Sequence, residues 1–249
     1  MFPNIKDWAA FVKRVELVCA HILEAISLEY PSVHLLSVDE KTSIQALERV
    51  SADQPMEKGK PRRLECEYIR HGTTCLMAAV DVGKGKVVNC RLHPTRNEED
   101  FLIFIKQTVS LYPEGDEVIF MADQLNIHKS ESLVRWIAEE INFKADLGTK
   151  RYKGVLENMK TRKDFLESSN HRVRFIFTPK HCSWLNPIEN WFGKLQRHVI
   201  KYGNFSSIEE LENKIKNYIN FYNLCLVKPL KWKFKGFLKA QKLKHLNCD

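Results

Sequence analysis

The chain has 249 residues, 44% hydrophobic and 28% charged, a balance that suits one sizeable globular domain and excludes a disordered chain. It contains no run of about 18 apolar residues, so a membrane-spanning helix is excluded. Its 39 basic and 31 acidic side chains leave a formal net charge of +8, a weak pointer to an anionic partner such as nucleic acid.

Asp7, Lys13, Arg14 and Glu16 interrupt the stretch where a secretion signal needs an apolar segment, so the chain is expected in the cytoplasm, at the nucleoid if its source is prokaryotic. The cysteines are odd in number, scattered, and never form C-x-x-C, which argues for reduced and mostly buried thiols instead of a zinc site or a disulfide framework.

In chain order, residues 5–30 carry apolar side chains at helical spacing, from Trp8 to Ile26, and stop at Tyr30-Pro31. The stretch VHLLSVD, 33–39, is short and rich in strand formers. Residues 48–72, containing KGKPRRLECEYIRHG, have no clear period and read as a loop or arm. CLMAAVDV and KVVNCRL flank Gly83-Lys84-Gly85 and predict a hairpin, since the G-x-x-x-x-G-K-[ST] phosphate loop is absent. Thr95 to Ser110 predicts a helix with Thr95 and Glu98 as its capping pair. EVIFMAD, 117–123, is a nearly continuous apolar run suited to a central strand buried on both faces. A helix over 130–141 follows, then a polar segment, 142–170, that reads as an insertion with a helix of its own. RVRFIFTP is the last strand. Asn186-Pro187 opens a helix whose stripe is Ile188, Trp191, Phe192, Leu195 and Val199, and Ser206/Ser207 cap a final helix.

Early antiparallel strands followed by alternating strand and helix imply an α/β fold, a mixed sheet of RNase H-like order with helices on both faces. The domains expected are an N-terminal helical segment or linker at 1–31, a catalytic domain at 32–205, and a C-terminal helix with a basic tail at 206–249 packed on it.

Two of the strands end in an acid, Asp39 and Asp123, where loops of α/β sheets collect ligands. Asp39 and Glu40 point to opposite faces, so at most one of them joins a given site. Glu189 sits at a helix start, on the margin of an apolar stripe; a capping box with Asn186 and a metal-binding role are both open to it. Three carboxylates brought together would repel one another unless a divalent ion holds them, and Mg²⁺ with oxygen ligands could drive in-line phosphodiester displacement. No H-E-x-x-H competes for a metal. From Lys228 the chain reads KPLKWKFKGFLKAQKLKH. Its lysines suit phosphates and its aromatics suit base faces, yet a solvated tail docked by those aromatics fits equally.

The stretches LLSVDEKTSIQALER, YIRHGTTCLMAAVDVGKGKV, MADQLNIHKS and TPKHCSWLNPIENWFGKLQRHVIKYGNFSSIEEL together closely resemble transposases of the mariner-type superfamily, in the bacterial insertion-sequence (IS-six-thirty) branch. The resemblance runs from about residue 30 to 235. It implies a DDE catalytic domain whose triad and metal ligands are Asp39, Asp123 and Glu189, with Mg²⁺ or Mn²⁺, two ions, as cofactor. It further implies cleavage at terminal inverted repeats and strand transfer into a TA target, with a homodimer assembled on transposon-end and target DNA. Gln124 stands where many relatives have asparagine. Complete relatives carry helix-turn-helix modules ahead of this domain, so a separately encoded partner of that kind is an expectation. The basic residues expected on DNA are Lys58, Lys60, Arg62, Arg63 and Arg70 in the arm and Lys231, Lys233 and Lys235 in the tail. Two rival readings are a non-catalytic transposase-derived DNA-binding protein and a stand-alone RNase H-like nuclease.

Overall fold

A computed structural model describes residues 5, 7–27, 29–52, 54–61, 63 and 65–237. Among them, one five-stranded sheet has the order β3-β2-β1-β4-β5. Its strands are β1 (Val33–Arg49), β2 (Tyr68–Asp81), β3 (Val87–His93), β4 (Glu117–Ala122) and β5 (Val173–Phe177). The first three form an antiparallel meander, and β4 and β5 run parallel to β1. This is the mixed, RNase H-like arrangement anticipated from the order of elements.

Side chains alternate across β1, so Leu36 and Val38 face one layer and Leu35 faces the other. The first layer consists of α2 (Glu98–Val109), α3 (Glu131–Glu140) and α4 (Met159–Leu166), whose Phe101, Phe104, Val134, Ile137 and Phe165 close over Phe120 and Phe175. The opposite face is shared. There α1 (Trp8–Ser27) covers Leu35, Ile119, Met121 and Ile176, while α5 (Ile188–Leu195) and α6 (Ile208–Phe221) cover Ile44, Leu76, Ala78 and Val80. Val15, Val18 and Ile22 of α1 are fully buried, so this helix is a wall of the core.

Several expectations need correction. The first strand does not stop at Asp39: β1 continues to Arg49, kinked by a bulge between Lys41 and Ile44 where Ser43 adopts φ 56°. That extension pairs with Tyr68–Thr74, so the aperiodic stretch 48–72 is the tip of a β-ribbon. The bridges Gln54 to Arg63 and Glu57 to Lys60 close it over Gly59. Its polarity hid it, because a projecting ribbon has no buried face to impose an alternating pattern. Asn97, not Thr95, caps α2, its side chain accepting from Asp100 N–H, while the Thr95 hydroxyl bonds the Asp100 carboxylate. Within the segment 142–170 the expected helix is α4, opened by an Asn158/Thr161 capping box, and Leu156, Phe165 and Leu166 pack it on the core. Among the six described cysteines, all unpaired, Cys66 and Cys225 are exposed.

Candidate active site

The register of the parallel pair fixes the centre of the site. β1 and β4 match from Val33 and Glu117 to Ser37 and Met121. Two residues further on, each chain carries an aspartate, Asp39 and Asp123. Counting alternation from Leu35 and Ile119 turns both toward the face shared by α1 and α5.

Asp39 is mostly buried. Its Oδ1 accepts the Glu40 N–H at 2.8 Å and its Oδ2 faces Asn186 Nδ2 at 3.3 Å. Burial pushes its pKa up to about 7, and the charges of Glu40 and Asp123 push the same way. Asp123 behaves oppositely. Burial would raise it, but hydrogen bonds from His128 and from Leu125 N–H, with the charges of His128 and Lys129, hold it below the usual carboxylate range. Both hydrogen bonds fall on one oxygen: Oδ1 takes Leu125 N–H at 2.8 Å and His128 Nδ1 at 2.9 Å. Oδ2 is left outside both.

His128 is fully buried, its ring 4.5 Å from that of Phe101. Its second nitrogen lies 2.9 Å from Glu40 Oε1, itself only 1% exposed, and Arg96 stands 4.0 Å from the other Glu40 oxygen. Burial alone would lower the imidazole pKa, yet hydrogen bonds to Asp123 and Glu40 outweigh it and raise it far above normal. Glu40 does point to the opposite face from Asp39, but His128 links it to the site from behind. Lys129, also buried, donates to the Gln124 carbonyl and side-chain oxygen at 2.9 and 3.0 Å, and Gln124 Nε2 donates to Thr178 O at 2.9 Å. The glutamine thus braces the loop after β4 against the end of β5.

Glu189 lies in the first turn of α5 and is exposed. The Asn186 capping box, one of the two roles open to Glu189 in the sequence, is not formed. Asn186 is 1% exposed and spends its side chain on β1: Nδ2 donates to Val38 O at 3.0 Å, and Oδ1 accepts from the Ser37 hydroxyl. The Ser37 oxygen in turn accepts the Ile188 N–H at 2.8 Å, so a strand serine satisfies a helix-start donor. This clamp ties the start of α5 to the strand that carries Asp39. Among the described residues, no group of three His, Cys, Asp or Glu side chains stands close enough to hold a metal ion. Asp39 and Asp123 are brought together. Glu189 is on the adjoining helix and makes no contact with either.

The arm residues Lys58, Lys60, Arg63 and Arg70 are exposed on the ribbon, with Lys60 ion-paired to Glu57 at 3.0 Å. Arg62 lies outside the described residues. Because β1 runs on past Asp39, the ribbon leaves the sheet at the end where the aspartates lie. Lys231, Lys233 and Lys235 are exposed on an extended segment whose intervening Trp232 and Phe234 pack toward α1.

Ser37 and His128 were not singled out from the sequence, Glu40 was set aside as facing away from Asp39, and Asn186 was read as a helix cap and not as a partner of β1. A small polar residue inside the apolar run LLSVD and an asparagine held between Leu185 and Pro187 were the available signals for two of them.

Two aspartates just past the parallel register of β1 and β4 in an RNase H-like sheet, with an acid-bearing helix clamped beside them, form the framework of the site. The chain belongs to the DDE superfamily endonucleases, whose family model matches residues 34–212. Solved structures agree on the fold. The Mos1 mariner paired-end complex with Mn is 15% identical over 88% of this chain and 59% of that one, with a TM-score of 0.52. The catalytic domain of Mos1 mariner transposase is 12% identical over 88% of this chain and 85% of that domain, with a TM-score of 0.50. The pre-cleavage Mos1 transpososome is 13% identical over 88% of this chain and 60% of that one, with a TM-score of 0.51. The chain therefore spans about three fifths of the longer Mos1 chains. No curated protein matches it by sequence. No helix among the described residues is long and apolar enough to cross a membrane.

Proposed function

We propose that this chain is the catalytic part of a mariner-type transposase, of the bacterial insertion-sequence branch, which cuts DNA at terminal inverted repeats and joins the freed 3′ end to target DNA at TA. The observation that carries the reading is the in-register pair Asp39 and Asp123, set beside a helix start that the Ser37–Asn186 clamp locks to the same strand. Asp39, Asp123 and Glu189 are the residues assigned to hold Mg²⁺ or Mn²⁺, with DNA as substrate and a homodimer as the working form.

The donor set fits such ions. The two aspartates offer hard oxygen ligands, and the pKa of Asp39, raised first by burial and then by the charges of Glu40 and Asp123, is one that a cation at the site would bring back down. When bound, the metal supplies activation of the attacking oxygen and stabilisation of the leaving one. The chain's own contribution is positional. Leu125 N–H and His128 hold Asp123 by one oxygen, which aims the other into the site. Asn186 fixes the orientation of Asp39. Glu189 is exposed in the first turn of α5, and its carboxylate makes no hydrogen bond among the described residues.

The test is product analysis on labelled inverted-repeat DNA with Mg²⁺ or Mn²⁺ and a supercoiled target. Joined products support the transposase. Nicks without joining would reassign the chain to hydrolysis alone, and binding without cleavage would make it a DNA-binding derivative.

A further inference from the structure

The segment after α6 is held along its length. Asn223 bonds both backbone groups of Val87, with Oδ1 accepting from N–H at 3.0 Å and Nδ2 donating to the carbonyl at 2.8 Å. Lys228 then passes the β2–β3 hairpin so closely that a Cβ on Gly85, at φ 72°, would meet the Lys228 carbonyl at 2.2 Å. Beyond it the residues alternate. Leu230, Trp232 and Phe234 pack with the α1 layer, whereas Lys231, Lys233 and Lys235 are exposed. At an extended rise of ~3.3 Å per residue, the five residues from Lys228 to Lys233 carry this strap ~16 Å from the hairpin toward the end of the sheet where the aspartates lie.

Where it arrives, it forms one wall of a groove of about 450 Å³ whose other wall is the start of α5. Glu189 and Asn190 line it on one side, Lys231 and Lys233 on the other, and Trp184 stands at its rim. Trp184 is 46% exposed, and its ring meets that of Phe234 edge-to-face with centroids 5.3 Å apart. The described strap carries no acid to neutralise its lysines, and Lys231, Lys233 and Lys235 form no ion pair among the described residues.

We propose that this groove binds the backbone of an unpaired DNA strand, with phosphates on Lys231, Lys233 and Lys235 and one base stacked on Trp184, so that the strand passes Glu189. A row of cations with an exposed aromatic face is the combination that holds single strands without reading their sequence. An anionic peptide would use the lysines but leave the indole idle. The inference rests on the proposed function for the meaning of Glu189, not for the binding itself.

The test is fluorescence anisotropy in EDTA, which removes the metal step, with a labelled duplex bearing a 3′ single-stranded overhang beside the same duplex blunt-ended. K231A/K233A/K235A changes only exposed side chains, and its melting temperature should match wild type. Each lost phosphate contact on a single strand lowers the slope of log K against log salt by ~0.7, so the triple variant should lose about 2 from that slope. Lys233→Ala alone should lose about 0.7 and serves if the triple variant does not fold. Trp184→Ala should weaken the overhang complex about tenfold and leave the blunt duplex unchanged, which a general loss of charge would not do. An unchanged slope in the lysine variants, or equal losses on both duplexes for Trp184→Ala, overturns the groove. If the slopes change as stated but wild type never cuts DNA with Mn²⁺, the groove stands and the proposed function fails. If wild type cuts and joins DNA while the variants bind like wild type, only the groove fails.

Discussion

Replacing Asp39 by asparagine should stabilise the metal-free protein at pH 8. A carboxyl whose pKa is higher folded than unfolded binds its proton more tightly in the fold, so stability falls as pH rises through that interval and stays lost above it. For Asp39 the interval runs from the ordinary 3.8 to about 7. At ~1.4 kcal/mol per pH unit, the gap sets a ceiling of ~4 kcal/mol on what the charge costs above pH 7. The asparagine oxygen can keep the Glu40 N–H, but its amide would face the Asn186 amide, donor against donor, which removes ~1–2 kcal/mol of the gain. A net ~2–3 kcal/mol remains, or about 4–12 °C in melting temperature for a chain of this size. The assay is thermal melting of wild type and Asp39→Asn in EDTA from pH 4 to pH 8. The gap should be small at pH 4, grow through pH 6, and level off near pH 7 to 8. Adding Mg²⁺ at pH 8 should raise wild type and leave the variant where it was. A variant no more stable than wild type at pH 8, or a gap without pH dependence, refutes the reasoning.

Asn186→Ala strands the buried Ser37 hydroxyl and the Val38 carbonyl, so denaturant unfolding should show a loss of ~2–3 kcal/mol. His128→Asn frees the Asp123 carboxylate from one of its two anchors, and calorimetric Mn²⁺ affinity should fall ~10–100-fold, the range typical of groups that orient a ligand. Binding of this chain alone to duplex DNA should be strong at low salt and nearly blind to sequence, because phosphate contacts carry no sequence information. If about five phosphates are neutralised, log K should fall with log salt at a slope near −4 to −5, and a preference for inverted-repeat over scrambled duplex above about a hundredfold would contradict it.

The sheet was legible because its buried strands impose strong patterns. EVIFMAD is apolar on both faces and RVRFIF carries Val173, Phe175 and Phe177 on one, and each maps onto one strand, β4 and β5. The placing of Asp39 and Asp123 side by side followed from the acid after each apolar run, although β1 carries on beyond Asp39 where the sequence put its end. The ribbon beyond Lys41 was not legible, since strand pairing away from a core needs no hydrophobic alternation. The partners of the aspartates were hidden by distance along the chain. Glu40 meets His128 across 88 residues and Ser37 meets Asn186 across 149, contacts that no local pattern encodes. Asn186 itself was misread as a helix cap because Asn-Pro before a helix is a local signature, and a tertiary contact with β1 overrode it.

The most direct measurement of the central claim is single-turnover cleavage of inverted-repeat DNA by wild type, Asp39→Asn, Asp123→Asn and Glu189→Gln. The account predicts cleavage by wild type only with Mg²⁺ or Mn²⁺, and a loss of at least about a hundredfold, ~2.7 kcal/mol in the barrier, for each variant while its fold is retained. Glu189→Gln cutting as fast as wild type would contradict it, and would leave the site to Asp39 and Asp123.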